Sequence, residues 1–153
     1  MMKRASRNVL ILLLFVGLLA CSKPAVGPEQ QIRDWVAAGV DAAQRKDRGD
    51  IVDMISPAYN DRRGNSRDDI DKLLRLYFFR TDNVKLLEKI EDVRVIADTA
   101  AEVLLTVGMA GSSDNILGFR ADAYKFALEL EHDGEEWLLI SARWGQLGED
   151  GVW

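Results

Sequence analysis

The stretch YKFALELEHDGEEWLLISARW, Tyr124 to Trp144, decides the fold. Tyr124, Phe126, Leu128 and Leu130 alternate with Lys125, Ala127, Glu129 and Glu131, the period of a strand with one buried face. His132-Asp133-Gly134-Glu135 is a hairpin turn, because Asp-Gly tolerates the positive φ that a tight return requires. Trp137 to Trp144 comes back as the last strand, and strands joined this closely must pair antiparallel.

Upstream the same period continues. Val103, Leu105, Val107 and Met109 alternate with Glu102, Leu104 and Thr106 after a turn at Asp98-Thr99. A loop is expected from Gly111 to Ala123. Leu86, Glu88 and Ile90 share one phase and Val93 and Val95 the other, so a single strand through them needs a bulge near Glu91-Asp92.

Before Val84 the period is helical. From Pro28, which suits a first helical turn, Ile32, Trp35, Val36, Gly39, Val40 and Ala43 follow the i, i+3, i+4, i+7 pattern. Asp47-Arg48-Gly49-Asp50 interrupts it, and Asp50 is expected to cap a short second helix that stops before Ser56-Pro57. Ser66 with Asp69 forms a variant capping box for a third helix, whose buried stripe is Ile70, Leu73, Leu74, Tyr77 and Phe78. Helices first and a strand meander afterwards predict an α+β fold, with the N-terminal helices packed on the concave face of a curved antiparallel sheet.

Composition narrows the function. At 153 residues, 48% hydrophobic and 29% charged, the chain is one globular domain and not a disordered tail. One cysteine, Cys21, excludes an intramolecular disulfide, and with one histidine it cannot make the usual four-ligand zinc site. No metal is expected. Gly108, Gly111 and Gly118 lack the strand-to-helix context of a phosphate-binding loop, so no nucleotide cofactor is expected.

The first residues read as an address. Lys3, Arg4 and Arg7 precede the apolar run Val9 to Leu19, which ends in Ala20 and Cys21. This is the layout of an export signal over residues 1–20, too short to span a bilayer core of about 30 Å at about 1.5 Å per helical residue. Removing it takes away three cations and changes the formal charge from −5 to −8. Such an acidic domain repels nucleic acid and anionic lipid.

Leu18-Leu19-Ala20-Cys21 resembles the bacterial lipoprotein lipobox, which implies that Cys21 is acylated and anchors the protein to membrane. Ser22, where an aspartate would resemble the inner-membrane retention signal, implies the periplasmic face of the outer membrane. Residues 21–27 then form a tether, 28–147 the domain and 148–153 a C-terminal tail.

The element order over about Glu29 to Trp144 resembles the nuclear transport factor 2-like superfamily. The segment Ala42-Ala43-Gln44-Arg45-Lys46-Asp47-Arg48-Gly49-Asp50 looks like its break between helices, and Gly134 with Trp137-Leu138-Leu139-Ile140 looks like its closing hairpin. The resemblance implies a cone whose open end holds a ligand, enzymes that use Asp, His or Tyr in an apolar cavity, and sheets that pair face to face as a homodimer.

The titratable residues give no complete catalytic set. His132 lies in a turn and reads as solvated. Asp61, Asp98 and Asp122 flank element ends, where turn formation and solvation explain them. Ser112-Ser113-Asp114 lacks a histidine partner. Tyr59, Arg62, Tyr77, Arg80, Arg120, Tyr124, Arg143 and Trp144 form a candidate set for an amphipathic ligand bearing an acid or phosphate group, aromatic walls with a few fixed donors. The competing reading makes the aromatics core residues and leaves the arginines solvated or paired with carboxylates. Ile116, Leu117 and Phe119 are large apolar residues in an expected loop, fit for a lid, a dimer seam or a partner site, or simply folded back over the sheet. The expectation is a noncatalytic, lipid-anchored periplasmic domain that binds a small ligand or an envelope protein. Its alternative is a small isomerase, dehydratase or hydrolase using a buried Asp or Tyr.

Overall fold

The computed structural model describes residues 26–112 and 120–148, with the backbone alone for 110–112, 120 and 121. Cys21, Ile116, Leu117 and Phe119 lie outside the described residues, as do the signal segment and most of the tail.

Helix α1 spans Pro28–Gln44, with the proline in its first turn and Ile32, Val36 and Ala42 buried along one stripe. It stops in a Schellman turn: Asp47 N–H donates to the Ala42 carbonyl at 2.8 Å and Lys46 N–H to that of Ala43 at 3.1 Å. Lys46 takes the left-handed conformation there, φ 59°, a place usually given to glycine. Its Nζ donates to the Thr81 carbonyl at 2.7 Å, tying the end of α1 to the end of the third helix.

Helix α2 spans Arg48–Asp53. Its cap is Asp47, whose carboxylate accepts from Asp50 N–H at 3.1 Å, so the expectation of an Asp50 cap is corrected by three residues. Both acids fit a cap by type. Asp47 takes the role because the chain turns back into helix directly after the left-handed Lys46.

Residues 54 to 60 then run along a sheet edge. Ser56 N–H donates to the Leu139 carbonyl, Leu139 N–H to that of Met54 and Asn60 N–H to that of Ile140. The polar edge of the last strand is thereby covered. Helix α3, Arg67–Arg80, opens with the expected capping box between Ser66 and Asp69.

The strands are β1 Asn83–Ala97, β2 Ala100–Ser112, β3 Arg120–His132 and β4 Trp137–Gln146. They form one antiparallel meander in the order β1-β2-β3-β4. The register of β1 slips between Ile90 and Asp92, where the phase change in the sequence required a bulge. Further irregularities between Val95 and Ala97, and between Glu129 and Leu130, add local twist. β2 and β3 run further than expected. Gly111 pairs with Arg120 and Ala110 with Ala121, so the connection is shorter than the loop expected from 111 to 123. Small residues weaken the alternation there, but a partner strand in register supplies the hydrogen bonds.

The sheet buries one face under α1. Ala101, Val103, Leu105 and Val107 of β2 pack with Ile32, Val36, Leu130 and Trp137. Trp137 anchors the narrow end, its Nε1 donating to Gln31 Oε1 at 3.2 Å and its ring meeting His132 edge-on at 5.0 Å. The other face is polar: Thr106 donates to Glu91 at 2.7 Å, Lys125 lies 3.4 Å from Glu91, and Arg94 lies 3.2 Å from Glu102. Helices thus cover one side of a bent antiparallel sheet, as the α+β reading expected.

Candidate functional site

Helix α3 packs beside α2 but keeps away from the sheet, no Cα of it coming within 8 Å of a strand. Between them lies an apolar gap with two lobes. The larger, about 400 Å³, runs under α1 past Trp35, Val40, Leu86 and Met109. The smaller, about 340 Å³, runs between Ile70 and Leu73 of α3 and Leu139, Ala142 and Trp144 near the β4 edge. Leu74, Tyr77, Phe126 and Leu128 line both, so the lobes adjoin across these side chains, and each is of a size that takes a small molecule. Leu73 and Tyr77 remain 49% and 38% exposed, which marks the side open to water.

Strand parity decides which expected residues reach this hollow. Tyr59, Tyr77 and Trp144 line it. Arg143 precedes Trp144 on the same strand and therefore points to the opposite face, where it borders a small polar groove with Asp92, Arg94 and Glu129. Arg62 and Arg80 are exposed and line neither lobe. Tyr124 is half-buried and lines neither lobe, but with Asp122 it is close enough to Tyr77 to bear on its ionisation. The side chain of Arg120 lies outside the described residues. The eight candidates therefore do not converge as one set. The three brought together are aromatic, and the expected arginines stand elsewhere.

The basic group the sequence reading passed over is Arg63. Its guanidinium lies 4.5 Å above the Trp144 ring, and Nη2 donates to the Trp144 carbonyl at 3.2 Å. Arg62 and Arg63 are adjacent in a turn without a period, so sequence spacing could not choose between them. The Asp61-x-x-Gly64 turn was the available signal. Gly64 sits at φ 80° and closes the turn back onto Asp61.

Asp61 is 5% exposed, which corrects the reading that solvation explains it. Oδ1 accepts from Arg63 N–H at 2.8 Å and Asn65 N–H at 2.9 Å, while Oδ2 accepts from Asn65 Nδ2 at 2.8 Å and the Tyr59 hydroxyl at 3.4 Å. Burial pushes its carboxyl upward. The hydrogen bonds from the Asn65 side chain, the Asn65 and Arg63 backbone and Tyr59 outweigh it and leave the group below the usual carboxylate range. Burial, then the Asp61 charge and the bond donated to it, hold the Tyr59 phenol well above its ordinary value.

Asp61 is a poor base because its lone pairs are occupied, and Tyr59 is a poor acid because its anion would sit beside a carboxylate. Tyr77 is raised as well, first by burial, with Tyr124 and Asp122 adding to it and a Thr81 hydrogen bond opposing it. His132 is half-buried against Trp137, and its Nδ1 accepts from Gly134 N–H at 3.1 Å, so it is less solvated than the sequence suggested. No cluster of three metal-ligating side chains occurs among the described residues.

No protein-family model matches the chain, and no curated protein does. Solved structures do. A ketosteroid isomerase-like protein from Erwinia carotovora atroseptica matches at 14% identity over 79% of this chain and 97% of its own, with a TM-score of 0.65. A candidate dehydratase of the NTF2-like family from Streptomyces avermitilis matches at 13% identity over 79% and 96%, with a TM-score of 0.66. The chain has the nuclear transport factor 2-like fold. A hexachlorocyclohexane dehydrochlorinase shares this cone at 9% identity over 77% of this chain and 84% of its own, with a TM-score of 0.67. At such identities the likeness is one of architecture, and the cone is common to proteins of different chemistry.

Proposed function

We propose that this chain is a noncatalytic, membrane-anchored periplasmic lipoprotein whose cone holds a small amphipathic molecule. The observation that carries the reading is the lining of the hollow: side chains of Trp, Val, Ile, Leu, Phe and Met with the phenols of Tyr59 and Tyr77, Tyr59 donating to Asp61. Such a wall favours an apolar body, and its phenols, both held above their ordinary range, are poor proton carriers near neutral pH. The anchor rests on Cys21 and the segment before it. Among the described residues no helix is long and apolar enough to cross a membrane.

The test is purification from the envelope followed by mass spectrometry of co-purifying lipids and proteins. A small amphipathic molecule should accompany the chain and be lost from Leu74→Trp, which adds bulk to a residue lining both lobes. Recovery of nothing from either chain refutes the ligand. For the anchor, Cys21→Ala should leave an unprocessed precursor, and unchanged processing and fractionation refute it.

A second reading is a small isomerase, dehydratase or hydrolase. It is favoured by Tyr77 at the mouth, with Tyr124 and Asp122 near it, and by the names of two proteins that share the cone. It requires turnover that disappears in Tyr77→Phe or Asp122→Asn while folding is kept.

A further inference from the structure

The rim of the smaller lobe is where the apolar wall meets a cation. Trp144 lines the lobe; Arg63 lines neither lobe itself, but its guanidinium lies 4.5 Å over the Trp144 ring. Arg63 is exposed and spends one of its five N–H donors on the Trp144 carbonyl. Arg33, Arg45, Arg48, Arg67 and Arg94 each hold a carboxylate, while Arg62, Arg75, Arg80 and Arg143 show no ion pair among the described residues but are not stacked on a ring of the hollow as Arg63 is. Among the described residues no carboxylate pairs with Arg63. The nearby Asp61 is already met by its four donors and does not claim the guanidinium.

We infer that the occupant is a single-chain amphiphile with a carboxylate head, its chain lying between α3 and the sheet and its head on Arg63. This rests on the ligand-holding reading above. The chemistry follows from the order of groups along the hollow. Phe126, Leu128 and Leu74, shared by both lobes with Tyr77, present adjoining apolar surface that suits a hydrocarbon chain. Beside it, a guanidinium held 4.5 Å over an aromatic ring and hydrogen-bonded to the Trp144 carbonyl presents a planar fork that matches a carboxylate. Stacking holds that fork in place at little entropic cost, so an anionic head gains more from it than from a free lysine. Leu73 and Tyr77, both partly exposed, leave the entry open on the α3 side.

The test compares decanoate, decanol and acetate by titration calorimetry on the full chain kept in an amphipol, with amphipol blanks. Decanoate should bind at least tenfold more tightly than decanol, and acetate should give no heat. Arg63→Gln should bring decanoate to the affinity of decanol and leave decanol unchanged, while Arg63→Lys should keep part of the difference. Equal affinity of decanoate and decanol for the unmodified chain overturns the anionic head and leaves the hollow as a site for neutral molecules. Acetate binding as tightly as decanoate overturns the chain-in-gap placement. Failure of both ten-carbon ligands removes the ligand-holding reading itself, and this inference with it.

Discussion

Replacing Asp61 by alanine tests whether the acid beside the hollow serves structure or chemistry. Four donors converge on its two oxygens: two backbone N–H groups, the Asn65 amide and the Tyr59 hydroxyl. A hydrogen bond to a charged group contributes about 1.5–3 kcal/mol, and an orphaned buried donor costs about 1–3 kcal/mol. Arg63 is exposed and Asn65 half-buried, so their donors recover water when the carboxylate goes. Tyr59, 4% exposed, does not. The full sum therefore overstates the loss, and about 3 kcal/mol is expected. With a urea slope of about 1.5 kcal/mol per M, the midpoint should fall by about 2 M. Asp61→Asn keeps one acceptor oxygen and should lose about half as much. Both are read by urea unfolding followed by tryptophan fluorescence and far-ultraviolet circular dichroism.

The pH dependence gives the same acid a signed check. Its folded pKa lies below the unfolded value, so its contribution is fully present above about pH 4, the ordinary carboxylate range, and is lost as pH falls through the folded value. Asp61→Asn should flatten that part of the acid unfolding curve. A midpoint within about 0.3 M of the unmodified chain, with an unchanged acid limb, refutes the structural role. It would return the pair to consideration as a catalytic one.

Three further outcomes follow from particular contacts. Trp35 Nε1 is buried without a hydrogen-bond partner among the described residues, so Trp35→Phe, which removes the orphaned donor and keeps an aromatic wall, should change stability by less than about 1 kcal/mol, whereas Trp35→Ala should cost about 3–5 kcal/mol; a large loss in the phenylalanine variant on urea unfolding refutes the orphan. Lys46→Ala loses the bond to Thr81 and keeps the left-handed strain, while Lys46→Gly relieves that strain, so thermal melts should place the glycine variant about 1 kcal/mol above the alanine variant, and equal melts refute the strain. Gly134 lies at φ 109° with open space around its Cβ position, so Gly134→Ala should destabilise the β3–β4 hairpin by about 1–2 kcal/mol through backbone strain alone, a cost absent if amide exchange in β4 is unchanged.

The fold was legible because it is written in periods. Alternation in residues 124 to 131 gave a strand, the phase change near Glu91 required the observed slip between Ile90 and Asp92, and Ser66 with Asp69 marked the start of α3. Where the pattern dissolves into small residues, at Gly108 to Ala123, the reading ended the strands too soon, since pairing in register does not depend on apolar side chains. The site was legible by type and not by place. Parity along β4 sends Arg143 and Trp144 to opposite faces, so an arginine and an aromatic adjacent in a strand cannot share a cavity. No such rule orders a turn. Whether Arg62 or Arg63 reaches Trp144 depends on how Asp61 gathers the donors of residues 63 and 65, and that is a property of the closed turn, 81 residues away in sequence from the indole it serves. A contact assembled in this way can be found only after β4 has met the turn that precedes α3.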